Sequence, residues 1–260
     1  MVESYRGILE EMINDKVHGA SWYFLKLADL IEAGYREGVS VESMIHDITA
    51  VRPGMAPLEN IAELLSQVNP VKLAGAIRLY WREAERGIRV NSLALKGRVK
   101  TMVTVSYSSN ARLLAESVGA RVIALESNPG GEGRMWGNYG GLIIPDLTMS
   151  YFISNADAVV MGGDGLYDGF IVNKIGSLPL ALTARYFSKP VIIVLESFKA
   201  RKSKPISIHK VNVDGIEVPL FDEIPFNLVD TLVTDVGVFT SINVDYIVGK
   251  FKEKLMQYVQ

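Results

Sequence analysis

Between residues 99 and 195, short apolar and β-branched runs alternate with helical segments, and that alternation restricts the fold more than any other feature of the chain. Residues 99–105 (VKTMVTV), 121–126 (RVIALE), 142–144, 158–161 and 191–195 (VIIVL) read as strands. The segments between them read as helices: 106–120, with a polar start and Gly119 as its C-cap; 149–155; and 178–187, which stops before Lys189-Pro190. Strands with no polar face are buried on both sides, as in a parallel sheet covered by helices above and below. The predicted class is therefore α/β, with a mostly parallel sheet.

Upstream the pattern is helical throughout. Tyr5, Ile8, Leu9, Met12 and Ile13 recur at helical spacing, as do Trp22, Leu25, Ala28, Leu30 and Ile31. Further helices are predicted over 39–49, 58–67 and 70–86, the last one stopped by Gly87. The expected division is a small all-helical domain over 1–95 and an α/β domain over 96–260 that carries a ligand crevice.

Composition narrows the function. The 260 residues carry a formal charge of −2, so no basic footprint points to nucleic acid. Cysteine is absent, which removes disulfides, thiolate metal sites and thiol catalysis, and His18, His46 and His209 are too dispersed to predict a metal centre. Neither metal nor cofactor is expected. The opening MVESYRGILEEM lacks a signal-peptide pattern and no run is long enough to span a bilayer, so a cytoplasmic protein without membrane contact is expected. The basic run 199–204 (KARKSK) reads as a solvated loop, with phosphate contact as the other reading. Trp22, Trp81 and Trp136 read as core or contact aromatics.

The candidate site comes from residues 159–176 (VVMGGDGLYDGFIVNKIG), where an apolar strand breaks at Gly162-Gly163 and leaves Asp164 at its carboxyl end. A hairpin-like segment then leads to Asn173 and Lys174, just before a helix start. In an α/β sheet such strand ends border one crevice, so a carboxylate, an amide and an ammonium are expected around a small anionic ligand. Asp164 either holds a proton or sugar hydroxyl or satisfies its own turn. Ser106, Ser108, Ser109 and Asn110 follow the first strand at a helix N-terminus, where Ser108 or Ser109 either caps the helix or holds a phosphate. After the second strand comes a glycine-rich stretch, 128–133 (NPGGEG), followed by Arg134, which reads as a phosphate ligand or as a surface arginine. Asp146 reads first as a helix cap, with a hold on a ligand hydroxyl as the other reading. Asp235 ends a further strand and either reaches the rim or lies in an extension, 206–240, packed on a second subunit. No GxGxxG follows the first strand and no GxxxxGK[ST] occurs.

These segments carry a family likeness. GGDGLYDGFIVNKIGSLPLALTARYFSKPVIIV (162–194), supported by TVSYSSNARLL (104–114), ALESNPGGEGR (124–134), AVRPG (50–54), VHGA (17–20) and FDEIPFNLVDTLVTDVG (221–237), resembles the regulatory-subunit branch of the translation initiation factor 2B family. That superfamily includes isomerases of ribose 1,5-bisphosphate and methylthioribose 1-phosphate. The resemblance implies a Rossmann-like domain behind a helical one, and homodimers or higher assemblies built through a dimerisation surface on the α/β domain. It also implies binding of a sugar phosphate or nucleotide, with the translation initiation GTPase as a candidate protein partner.

In the isomerases an aspartate and a cysteine carry aldose–ketose conversion. Their positions fall here on Asp164 and Ser106, and Asn173 and Lys174 match substrate-holding residues. Arg134 is retained, whereas two family arginines become Asn128 and His18; Arg52 falls within the AVRPG match. A serine hydroxyl without assistance is a weak acid and a poor base, so the expected function is non-catalytic binding. The alternative is an isomerase that uses Asp164 with His18 or Tyr107 as helper.

Overall fold

The computed structural model describes residues 3–15, 18–203, 210–213 and 215–259. Helices α1 (Tyr5–Asn14), α2 (Ala20–Glu37), α3 (Val41–Val51), α4 (Ala56–Leu65) and α5 (Pro70–Ser92) come first. Their starts are written locally. Ser4 and Ser40 accept from Gly7 and Ser43 amides, and the Asn69 side chain caps α5 ahead of Pro70, whose missing N–H costs nothing in the first turn. Gly38 closes α2 in the left-handed conformation.

One expected boundary is wrong. α5 does not stop at Gly87 but runs on to Ser92. Gly87 serves close approach instead: a Cβ there would lie 2.5 Å from the backbone oxygen of Asp235.

The remainder is a doubly wound α/β unit. It comprises β1 (Thr101–Thr104), α6 (Ser109–Val118), β2 (Arg121–Leu125), β3 (Leu142–Ile144), α7 (Met149–Asn155), β4 (Ala158–Gly162), β5 (Gly165–Tyr167), β6 (Phe170–Lys174), α8 (Ser177–Tyr186) and β7 (Val191–Val194). After it come β8 (Lys210–Val213), β9 (Ile216–Pro219), β10 (Phe221–Pro225), β11 (Thr231–Thr234), β12 (Gly237–Phe239) and α9 (Val244–Tyr258). The main sheet has the order β12-β11-β7-β4-β1-β2-β3, parallel except for β12. A second, antiparallel sheet has the order β10-β6-β5.

Alternate strand residues feed opposite faces, as the two-residue period requires. Val103, Val159, Met161, Val191 and Ile193 join the core under α7 and α8, whereas Met102, Ala158, Val160, Ile192 and Val194 join the one under α6. The N-terminal helices form their own core, which also takes in Phe198 after β7 and Phe251 and Leu255 of α9. Among the described residues no helix is long and apolar enough to cross a membrane.

Candidate functional site

The order of the main sheet reverses at β1 and β4: the chain leaves β1 toward β2 on one side and leaves β4 toward β7 on the other. Loops diverge there at the carboxyl ends of the strands and leave room for a ligand. The two loops touch at Gly162, where a Cβ would lie 2.3 Å from the Ser108 hydroxyl. Only glycine permits that approach. Ser108 caps α6 by accepting from the Ala111 amide (3.2 Å), and Ser109 is exposed in the first turn.

One polar cluster forms around the glycine-rich segment. Ser106 leaves β1 with φ of 62° and Ser127 leaves β2 with φ of 69°, both in the left-handed region that serines rarely adopt. They hold each other: the Ser106 amide donates to Ser127 Oγ (2.6 Å), and Trp136 Nε1 donates to the Ser106 carbonyl (2.9 Å). The Ser106 hydroxyl donates to Glu132 Oε1 (2.9 Å), and the same carboxylate pairs with Lys174 Nζ (3.0 Å). Lys174, only 7% exposed, also donates to the Pro129 carbonyl (2.6 Å). Beside it, Asn173 is buried and donates to Ser177 Oγ (2.8 Å). Asp146 caps no helix. Its two oxygens accept from the amides of Ser127 (2.7 Å) and Asn128 (2.8 Å), which clasps the start of the glycine-rich segment. Arg134 is largely exposed and bonds Glu126 (3.0 Å).

A second cluster surrounds Asp164. This side chain meets the N-terminus of α2, where the Ala20 amide bonds its carboxylate and a Cβ on Gly19 would lie 3.2 Å from Oδ1. Lys199 is almost fully buried; it donates to the Gly163 carbonyl (2.9 Å) and pairs with Glu196 (2.9 Å). Glu196 also accepts from Ser21 (2.8 Å) and Asn110 (2.5 Å).

The two carboxyls are pushed apart. Burial raises Asp164 above the usual aspartate range, against the pull of Lys199, the Ala20 amide and Arg52. Burial acts on Glu196 too, but the charge of Lys199 and the hydrogen bonds from Lys199 and Ser21 outweigh it and hold Glu196 below its ordinary value. Carboxyls with opposed shifts divide the labour of holding and accepting protons. Here Asp164 keeps its proton longer and Glu196 stays ionised.

Of the remaining expected residues, Arg52 borders the Asp164 cluster. Arg52 Nη2 donates to the Asp15 carbonyl (2.6 Å), and its guanidinium covers the Tyr23 ring. His18 stacks on Trp22 with Nδ1 2.7 Å from Asp15, half exposed. Tyr107 stacks against Tyr139, and its hydroxyl is pushed up to about 12, first by burial and then by the bond to Tyr139, so it is no base near neutral pH. Asp235 is buried behind the rim, where it accepts from Tyr80 (2.6 Å) and from the Ser197 amide (2.6 Å).

Reading 199–204 as solvated fails at Lys199, which is buried, and at Arg201, which pairs with Glu59 (3.0 Å); Lys204 and His209 lie outside the described residues. Glu132, Glu196 and Lys199 escaped the sequence reading. A signal for the last two was present: ESFK follows the apolar strand β7 as Gly-Gly-Asp follows β4, and both leave the same end of a parallel sheet.

Comparison with known proteins yields consistent neighbours. Residues 41–213 match the profile of the Initiation factor 2 subunit family. A translation initiation factor eIF-2B subunit 2-like protein of Pyrococcus horikoshii is 27% identical, over 89% of this chain and 94% of its own. Ribose 1,5-bisphosphate isomerase of Archaeoglobus fulgidus is 30% identical over 45% of this chain and 44% of its own. Among solved structures, translation initiation factor eIF-2B of Pyrococcus horikoshii OT3 superposes with a TM-score of 0.77 at 23% identity, covering 91% of this chain and 96% of that one.

Proposed function

This chain belongs to the initiation factor 2 subunit family, and on that premise we propose that it is a non-catalytic cytoplasmic member that binds a sugar phosphate or nucleotide at the β1–β4 switch point and acts through protein partners. The observation that carries this reading is the state of Ser106. It stands where the related isomerases are expected to place a thiol, and its hydroxyl already donates to Glu132, a carboxylate that Lys174 holds ionically. Such a serine lacks a base free to ionise it, whereas the hydroxyl, the ammonium and the start of α6 together suit a phosphate.

Isothermal titration with pentose and nucleotide phosphates, alongside assays for isomerised product, tests the reading. Binding without turnover is expected, and Lys174→Ala should weaken it by about 10- to 100-fold, the value of a charge-assisted hydrogen bond. Product formation that disappears in Asp164→Asn would instead establish the isomerase reading, which the raised proton affinity of Asp164 favours.

The partner reading rests on an exposed apolar face. Leu147 before α7, Tyr151 on α7, and Leu182 and Tyr186 on α8 all face solvent, Leu147 and Tyr186 almost completely. Apolar side chains clustered on adjacent elements mark an interaction surface, and we assign this one to a homodimer. Leu182→Asp/Tyr186→Asp should shift sedimentation from dimer to monomer while the circular-dichroism spectrum stays that of the folded chain; an unchanged dimer would move the interface elsewhere. Direct binding of the initiation GTPase to the purified protein tests the translation side of the proposal.

A further inference from the structure

We propose that Glu132 is a built-in counter-anion: it occupies the phosphate position beside Lys174, and a ligand gains access only by displacing it together with residues 129–132. This rests on the binding reading above and adds how the site is controlled. The carboxylate of Glu132 already makes the contacts a phosphate oxygen would make, with the Ser106 hydroxyl at 2.9 Å and Lys174 Nζ at 3.0 and 3.3 Å. A phosphate dianion approaching Lys174 therefore meets a like charge rather than a free cation, and like charges this close in a partly dry site repel strongly.

Both acceptors of Lys174, the Pro129 carbonyl and the Glu132 carboxylate, lie on one short stretch of chain. A single movement of that stretch uncovers the ammonium completely. The ends of the stretch are fixed, on one side by Asp146 gripping the Ser127 and Asn128 amides and on the other by Gly133. The Gly133 amide donates to the Glu126 carbonyl (3.2 Å), and a Cβ on Gly133 would lie 1.8 Å from the Leu125 oxygen. Between those anchors Gly130 and Gly131 have φ of 120° and 73°, values open mainly to glycine. The segment is thus clamped at both ends and turns on two glycines, tied in its middle by the Gly131 amide donating to the Ser127 carbonyl (3.0 Å), with its one charge lodged in the site. Glu132 then sets specificity as well: a ligand must carry enough negative charge to replace a carboxylate on Lys174, which favours phosphate esters over neutral sugars.

Titration of ribose 5-phosphate into the wild type, Glu132→Gln, Glu132→Ala and Glu132→Gln/Lys174→Ala tests this. Glutamine keeps the shape and removes the charge, so at least tenfold tighter binding is expected, with the gain abolished in the double variant. Glu132→Ala should give the same gain, and melting curves of all four proteins confirm that each is folded. Wild-type binding with no gain in either single variant overturns the counter-anion and leaves the binding reading standing. Absence of binding in every folded variant overturns both.

Discussion

Replacing Lys199 with methionine should cost about 3–5 kcal/mol of folding stability at neutral pH, the usual penalty for leaving a buried charge without its partner. Lys199 is the cation that Glu196 and Asp164 share, and both it and Glu196 are almost wholly buried. Methionine fills the volume of the stem but leaves the Glu196 carboxylate on neutral donors and the Gly163 carbonyl without its donor.

The sign of the pH dependence follows from the two shifts. Glu196 is depressed in the folded protein, so it contributes stability above its unfolded value, and that contribution is lost as pH falls through the folded value. Asp164 is raised, so its contribution runs the other way: the folded form holds the proton more tightly, and stability declines as pH rises from the ordinary aspartate value through the folded one. Without Lys199 both carboxyls lose the charge that lowers them, and both then favour the folded state only when protonated. The deficit of the variant should be largest at pH 7.5 and shrink toward pH 5, as read from urea unfolding at each pH. A deficit that is equal at the two pH values, or below about 1 kcal/mol, would mean that the carboxyls do not depend on this lysine.

Phe198→Ala should destabilise by about 3–5 kcal/mol, the range for truncating a fully buried aromatic ring. Phe198 has no exposed surface, stacks on Phe24 of α2 with ring centroids 3.9 Å apart, and stands edge-on to Tyr80 of α5 at 6.4 Å. It sits between Glu196 and Lys199 in the sequence, so the ring that enters the helical core also aims the ion pair at the end of β7. Asn60 reinforces the segment by donating to the carbonyls of Phe198 (3.1 Å) and Ala200 (2.9 Å). The cavity would loosen both sides at once, and a fall in Tm of about 6–10 °C is expected for a chain of this size. Phe198→Leu, which keeps most of the volume, should lose much less. A fall of only about 2 °C in the alanine variant would show that the ring is not what locks sheet to helices.

The carboxyl-end geometry of Asp164, Asn173 and Lys174 was legible because an apolar strand that breaks on glycine announces its own end. Which group each would face was not. Asp164 was expected to share a mouth with Lys174, yet its charged neighbours are Lys199, Glu196 and Arg52, while Lys174 is held by Glu132. Asp146 read as a cap, and it does satisfy backbone amides, but those of a loop 18 and 19 residues earlier rather than those of its own helix. Gly87 read as a helix stop because glycine weakens helices locally; the approach of Asp235 that makes it necessary lies far along the chain.

The line between the two kinds of information is one of range. Amino-acid order alone settled the helical start, the parallel strands and the cap at Gly119, because hydrophobic period, φ preference and capping act between residues a few positions apart. Tertiary structure decided which polar groups meet: Glu132 with Lys174 across 42 positions, Glu196 with Asn110 across 86 and with Ser21 across 175. No local pattern encodes such pairs, since a carboxylate reads the same in sequence whether it faces water or a buried ammonium. Only the folded sheet, bringing its strand ends to one rim, selects the partner.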